Sequence, residues 1–431
     1  MSPFRAAWRD YRDAMKHFSR PARLFLLHTG LGWAGYGVNT VLFNLYLVEG
    51  GYQEAFIGRV ISLNGLGLAL AALPAGWLAE RWGRRPCLLL GAVLFGTGHL
   101  LRATFLIPGA IYAGSLLAGV GQSLTAIAAA PFLTEHSTPR ERTHLFSAYF
   151  AAELMASVVG SLLGGGMPAG LLALGASLHP TLLAAYRITL IGGAALDFAS
   201  VVPILRLSGL VEAPLARERA RLDPREQRRL TPIVVNAFLI GAGAGLVIPF
   251  MNLYFKTRFD CSSAQIGVFF SIAQVSTALA MLCGPAVARR IGKLRAATAS
   301  QLLSLPFLVT LGAERHLGIA VGAFWLRAML MQASTPLISA FVMEALPPAL
   351  RARSTSLNNL VWNLGWATSA TLAGVLILKF GYAVPFYVTA ALYGSAALWL
   401  YRSFRDTPEV SLEPALSEEA KGLRGEGPMT E

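Results

Sequence analysis

The chain has 431 residues, 55% of them hydrophobic and only 14% charged, with a formal charge of +13. Ordinary soluble domains carry about 25% charged residues, so a soluble fold is excluded, and the apolar residues instead fall in nearly uncharged runs of about twenty, the length a helix needs to cross roughly 30 Å of hydrocarbon. The basic residues sit in short loops between those runs rather than on one face, which argues against a nucleic-acid partner, and the alternating pattern of outer-membrane barrel strands is absent.

Residues 1–23 form a leader in which Phe4, Trp8, Tyr11, Met15 and Phe18 recur every three or four positions among Arg and Lys. That spacing predicts a cytoplasmic amphipathic helix lying in the membrane interface. The first apolar run, 24–48, is too long for the core of a signal peptide and should remain in the membrane. Further spans are expected at 57–79, 86–107, 109–133, 145–171 and 182–205, completing a first six-helix bundle over 24–206. A polar cytoplasmic loop, 207–231, leads to spans at 232–255, 265–288, 295–313, 317–343, 354–378 and 381–401, a second bundle over 232–402. The tail, 403–431, is rich in Glu, Pro and Gly and reads as disordered.

The expected fold is therefore an all-α integral membrane protein of twelve transmembrane helices in two six-helix bundles. Most basic residues fall on the side of the termini and the central loop, whereas the other side holds Lys256, Arg258, Arg315 and Lys379. The positive-inside rule then places both termini in the cytoplasm of a multi-pass protein of the cell (inner or plasma) membrane. Cys87, Cys261 and Cys283 are too widely spaced for a disulfide framework or a metal site.

The two bundles are related in sequence. An offset of 209 aligns Arg81 with Arg290, Gly83 with Gly292, Glu135 with Glu344, Pro139 with Pro348 and Arg142 with Arg351. Near the first span of each half, Asn44-Leu45-Tyr46 matches Asn252-Leu253-Tyr254 at an offset of 208. Six spans per half preserve the direction of insertion, so this is a parallel duplication of the kind that transporters use to build alternating access around a central site.

The loop after the second span reads Gly76-Trp77-Leu78-Ala79-Glu80-Arg81-Trp82-Gly83-Arg84-Arg85. It resembles the signature Gly-x-Leu-x-Asp-Arg-x-Gly-Arg-Arg of the major facilitator superfamily, and with six plus six spans the resemblance covers residues 24 to 402. The resemblance implies a cytoplasmic gate around Gly76, Gly83 and Arg84, in which Glu80, Arg81, Arg85 and Glu135 form a latch. Glu80 stands where the family usually has Asp, and the second copy, Arg289-Arg290-Ile291-Gly292-Lys293, lacks the acid. In span four the family's proton-linked members often carry Arg-x-x-x-Gly, but here the stretch is Ser115-Leu116-Leu117-Ala118-Gly119. In span five Gly160-Ser161-Leu162-Leu163-Gly164-Gly165 resembles an antiporter motif, with Ser161 in place of its proline; small residues at this spacing equally serve close helix crossing.

Charged groups inside the hydrocarbon are costly and are functional candidates by default. Arg327 lies about ten residues into span ten, near the midplane at 1.5 Å per residue, and is expected to contact substrate or to sit in an internal ion pair. Glu153 and Asp197 are candidates for proton coupling; Glu153 could instead neutralise a buried arginine. Arg102 and Arg187, nearer the outer ends of their spans, are expected to snorkel outward. Asn39, Asn44, Asn252, Gln122 and Asn358 could bind a polar substrate or bridge helices.

The chain carries no Walker phosphate loop and no recurring nucleophile, base or ligand cluster, so no enzyme activity, metal or cofactor is expected. The sequence predicts a monomeric, proton-coupled secondary transporter that moves a small molecule within a lipid bilayer. Export of a drug-like or metabolic compound is the favoured direction. A lipid flippase, or uptake of an anionic solute at Arg327, is the alternative.

Overall fold

A computed structural model describes residues 18–138, 141–174, 181–207 and 230–405. Residues 1–17 of the expected leader, most of the central loop and the tail beyond Arg405 lie outside them, whereas residues 20–23 belong to the first long helix and 403–404 to the last. Within the described residues the chain forms twelve long helices. The first half comprises α1 (Arg20–Glu49), α2 (Glu54–Arg81), α3 (Arg84–Thr104), α4 (Pro108–Glu135), α5 (Arg142–Leu174) and α6 (Leu182–Leu205). The second comprises α7 (Thr231–Phe259), α8 (Ser263–Ile291), α9 (Lys293–Ala313), α10 (Leu317–Ala345), α11 (Pro348–Phe380) and α12 (Ala383–Phe404). Eleven are long and apolar enough to cross a membrane. The exception, α1, is diluted by His28, Trp33, Tyr36, Asn39 and Asn44, several of which prove to line the interior.

Local chemistry explains where the helices begin and turn. Ser19 accepts from Ala22 N, Thr181 accepts from Ala184 N, and Ser262 with Gln265 forms a reciprocal capping box, so exposed helix N–H groups are satisfied at each start. Between α2 and α3, and again between α8 and α9, the chain reverses through Gly83 (φ 93°) and Gly292 (φ 90°). A Cβ is strained at such angles, which is why this glycine stands in both copies of the repeat.

The duplication is also visible in side-chain bonds. Tyr46 Oη donates to Ala103 O at 2.8 Å, and Tyr254 Oη donates to Leu311 O at 2.7 Å. Arg84 pairs with Glu135 at 3.3 Å, and Lys293 pairs with Glu344 at the equivalent place. Each half is thus pinned internally at both ends by a matching pair of contacts.

The halves meet chiefly along α2 with α11, α5 with α8, and α1 with α7 and α8. The bonds that tie them lie in the parts of the helices remote from the central loop, here called the far side. Ser62 bonds Ala367 O and, at 2.7 Å, Thr371 Oγ1. Ser263 donates to Gly165 O at 2.9 Å, and Gln274 donates to Ser161 Oγ at 3.1 Å. Gln274 lies about 17 Å of helical rise inside α8, so the seam reaches from the far face toward the midplane. Close approach requires small residues here: a Cβ on Gly58 would strike Ala370 O, and one on Gly165 would strike Ser263 O. Gly160 lies against Ala34 and Gly37, and Gly164 against Val38. The antiporter-like stretch of α5 therefore packs against α1 and α8 at once, as the small-residue reading allows.

At the same seam α7 is broken by a single 3-10 turn, Ile248–Phe250, around Pro249. Proline removes an N–H and clashes with the preceding turn, leaving carbonyls without helical partners. After the break Leu253 N donates to Asn252 Oδ1 at 2.9 Å, and Asn44 Nδ2 of α1 donates to Pro249 O at 2.6 Å.

Candidate functional site

A cavity of about 130 Å3 opens in the first half, on the central-loop side of the seam. Its wall comes from α1 (Phe25, His28, Thr29, Trp33, Tyr36), α3 (Phe95), α4 (Gln122, Thr125), α5 (Tyr149, Glu153) and Ser200 of α6. Glu153 is half-buried, and the Tyr149 hydroxyl and the Trp33 indole hydrogen-bond its carboxylate. Both are neutral groups, in place of the buried arginine considered from sequence. Phe25 stacks on Tyr149 with ring centroids 5.9 Å apart on one wall. On the other, Tyr36 lies 5.1 Å from Trp33 and 6.5 Å from Phe95.

Behind this wall lies a buried polar cluster. Asp197 Oδ2 is 2.7 Å from His99 Nδ1, which is also 3.1 Å from Asn39 Nδ2. Arg102 Nη2 donates to Asn39 Oδ1 at 3.1 Å, Arg102 Nη1 reaches Ser115 Oγ at 3.5 Å, and its guanidinium lies 4.0 Å from the centre of the Phe43 ring. Asp197 Oδ1 and Arg102 Nε are buried without a hydrogen-bond partner. Gly35 is required beside this carboxylate, since a Cβ there would collide with Asp197 Oδ1.

The cluster and the cavity share a wall. Phe95 sits 4.2 Å from the His99 ring. His28 Nδ1 lies 2.9 Å from Ser200 O, and Ser200 Oγ donates to Asp197 O at 2.6 Å.

The orientation of Asn39 follows from its neighbours. A guanidinium can only donate and a carbonyl can only accept. Arg102 therefore faces Oδ1, while Gly35 O, at 3.3 Å, receives Nδ2. The second amide hydrogen then points at His99 Nδ1. If that nitrogen carries a proton it donates to Asp197 and opposes Asn39; if it does not, its single lone pair accepts either from the Asn39 amide or from a proton held on Asp197. Asp197 and His99 thus form a pair that can hold one exchangeable proton in two arrangements.

The sequence-based candidates separate into three places. Gln122 and Glu153 share the cavity, while Asn39 and Asp197 belong to the cluster behind it. Asn44 and Asn252 meet at 3.1 Å across the seam, where Asn252 Nδ2 also donates to Thr40 O at 3.3 Å and Val41 O at 3.0 Å. Asn358 is half-buried on α11 and is not among the lining residues.

Arg327 is 5% exposed inside the second half, where it donates to Tyr393 Oη at 3.2 Å. Because it lies away from the cavity wall, Arg327→Met is expected to change the affinity of a cavity-bound solute by no more than about twofold in a titration of purified protein. A tenfold loss, about 1.4 kcal/mol, would return Arg327 to the binding site.

Of the gate residues, Arg84 and Glu135 form the ion pair already described, and Arg84 Nη1 also donates to Ala79 O at 2.9 Å. Arg85 reaches Ile204 O and Leu205 O at 3.3 and 3.0 Å, and Arg81 lies 5.1 Å from the Trp77 ring. Gly76 and the exposed Glu80 lie in the last turns of α2, and Gly83 makes the turn into α3.

One expectation is corrected. Arg102 does not snorkel: it is 7% exposed and turned inward, because Asn39, Ser115 and the Phe43 face solvate its charge within the bundle. His28, His99, Trp33, Tyr36 and Tyr149 were not singled out from sequence. For the two histidines the signal was available, since an ionisable group inside an apolar span is a candidate by default. His99 and Arg102 are also three residues apart, which puts them on one helix face.

The family model described as Major Facilitator Superfamily matches residues 24–231 and 233–428. An uncharacterized membrane protein of Saccharomyces cerevisiae is 23% identical over 70% of this chain and 76% of its own length. A probable chloroplastic anion transporter of Arabidopsis thaliana is 30% identical over 26% of this chain and 22% of its own length. Among solved structures, a bacterial homologue of the human lysosomal transporter Spinster, inward-facing and unoccupied, superposes with a TM-score of 0.72 at 13% identity, covering 94% of this chain and 98% of its own.

Proposed function

The chain belongs to the Major Facilitator Superfamily and is a multi-pass secondary transporter, and from that premise we propose that it moves a small solute through the first-half cavity by alternating access, driven by a proton. The observation that supports this reading is a cavity containing one carboxylate with an Asp197–His99 contact of 2.7 Å, able to share a proton, behind the same wall. Alternating access needs a seam that can close on one side while the site opens on the other. Here the halves are joined at the far side, and the cavity lies on the side of the basic central loop. With that loop in the cytoplasm of the cell membrane, this is an inward-facing state, like that of the solved Spinster homologue.

Asp197 and Glu153 are the coupling residues in this reading. Asp197 exchanges its proton through His99, and Glu153 faces the solute. Arg84, Glu135 and Arg85 hold the central-loop ends of the first half, and together with Glu80 and Arg81 they are the surface that would close when the far side opens. Export is the favoured direction, on the α5 stretch 160–165. The short match to a probable anion transporter is the observation favouring uptake of an anion. Against it, the basic candidate Arg327 is not among the cavity-lining residues.

Proteoliposomes with a trapped pH-sensitive dye test the coupling. A gradient of a transported solute is expected to drive protons across the membrane in proportion to solute moved. Solute movement with no accompanying proton flux would overturn proton coupling and leave facilitated transport.

A further inference from the structure

We infer that the cavity takes a small organic cation, an ammonium or guanidinium group set against the Glu153 carboxylate with its apolar part between the Phe25–Tyr149 and Trp33–Tyr36 walls. The inference rests on reading this cavity as the transport site.

Charge points first to a cation. Glu153 is the acid among the lining residues, and no Lys or Arg is among them. The guanidinium of Arg102 is engaged instead by Asn39, Ser115 and the Phe43 face, in the cluster that also holds Asp197. A carboxylate withdrawn from water needs compensation. The Tyr149 and Trp33 donors supply part of it, and a bound cation supplies the rest. An anion would meet like charge in a site of low dielectric, and a neutral solute would leave the carboxylate as it was.

The other wall groups favour the same class. Aromatic rings present negative faces that attract cations within about 6 Å of the ring centre, and five of the lining residues are Phe, Trp or Tyr. The remaining polar groups can accept hydrogen bonds. Next to Ser200 O, the nitrogen His28 Nδ1 must be a donor, so in the neutral ring Nε2 is an acceptor. The Gln122 amide oxygen and the Thr125 hydroxyl can accept as well.

Size sets the scale. A cavity of about 150 Å3 holds benzene, and this one is about 130 Å3. The enclosed part therefore fits a single ring or a compact alkyl group bearing one charge, and larger molecules would project toward the central-loop side.

The test uses the purified full chain and three probes of nearly equal shape: benzylammonium, benzyl alcohol and benzoate. Dissociation constants are measured by thermal-shift titration and by quenching of tryptophan fluorescence. Benzylammonium is expected to bind at least about tenfold tighter than the other two. That preference should vanish in Glu153→Gln, and affinity should weaken several-fold in Trp33→Leu, which keeps the carboxylate and guards against one variant failing to fold. Tighter binding of benzoate or benzyl alcohol, with either variant altering it, would overturn the cation class while leaving the cavity as the site. No binding of any probe, or a preference unmoved by both variants, would overturn the cation class and the cavity reading together.

Discussion

Asn252→Leu is expected to shift the protein out of the state with the far side closed. The Asn252 side chain makes three bonds across the seam, to Asn44, Thr40 O and Val41 O. Polar contacts between membrane helices contribute about 0.6 kcal/mol each on average, so their joint loss is about 2 kcal/mol, or roughly a thirtyfold change in a two-state equilibrium. Only interactions that differ between the states move that equilibrium, and these exist only while α1 and α7 touch. Leucine keeps the branched heavy-atom skeleton of asparagine while removing its polar atoms, and because its methyl groups are bulkier at a site that is 1% exposed, the added crowding at the seam acts in the same direction as the lost bonds. Spin labels at Gln53 and Lys379, on the far-side ends of α2 and α11, would report a growing population at longer separation. An unchanged distance distribution would mean that the asparagine pair bridges the helices in both states and gates neither.

Asp197→Asn is expected to be the more damaging substitution. It removes the partner of His99 and the acid whose charge acts on Arg102 in the buried cluster; no hydrogen bond joins Asp197 to Arg102, so the lost counter-charge is expected to cost part of the roughly 3–5 kcal/mol that deleting a bonded buried partner costs. The purified variant should therefore unfold at a markedly lower temperature, and proton movement should be lost even where folded protein survives. Solute binding should persist, since Asp197 is not part of the cavity wall. Adding Arg102→Gln should recover much of the lost stability, a non-additive result of the kind expected for coupled neighbours. If Asp197→Asn alone costs nothing, the carboxyl already carries its proton in this state, and the balance for Arg102 must come from Asn39 and Phe43.

The spans, the repeat and the family motif were legible in the sequence because each is encoded along the chain. Length and charge density define a span, and an offset of 208 or 209 is enough to pair Tyr46 with Tyr254 and Glu135 with Glu344. What was not legible is azimuth. Position along a helix gives depth in the membrane, and by depth Arg102 belonged near the surface while Arg327 belonged at a midplane site. The fold turns Arg102 toward Asn39 and turns Arg327 toward Tyr393. In a soluble helix the polar stripe reveals which way a residue faces, but a helix that is apolar both toward lipid and toward its neighbours gives no such contrast. The aromatic wall was hidden for the same reason: Trp33, Tyr36 and Tyr149 carry no distinguishing pattern along the chain, and only the convergence of α1 and α5 brings them to Glu153.

The placement of the seam also bears on the surrounding lipid. Two rigid halves joined at one face and spread at the other make a wedge, broader in the leaflet next to the central loop. In the proposed alternating-access cycle each passage would reverse that taper, exchanging occupied area between leaflets and doing work against their lateral pressures. Lipids with small headgroups, which crowd the chain region and relieve the surface, would favour one taper over the other. In the proposed cycle the bilayer would then act as a further participant beside the solute, biasing the resting balance between the two tapers through its shape.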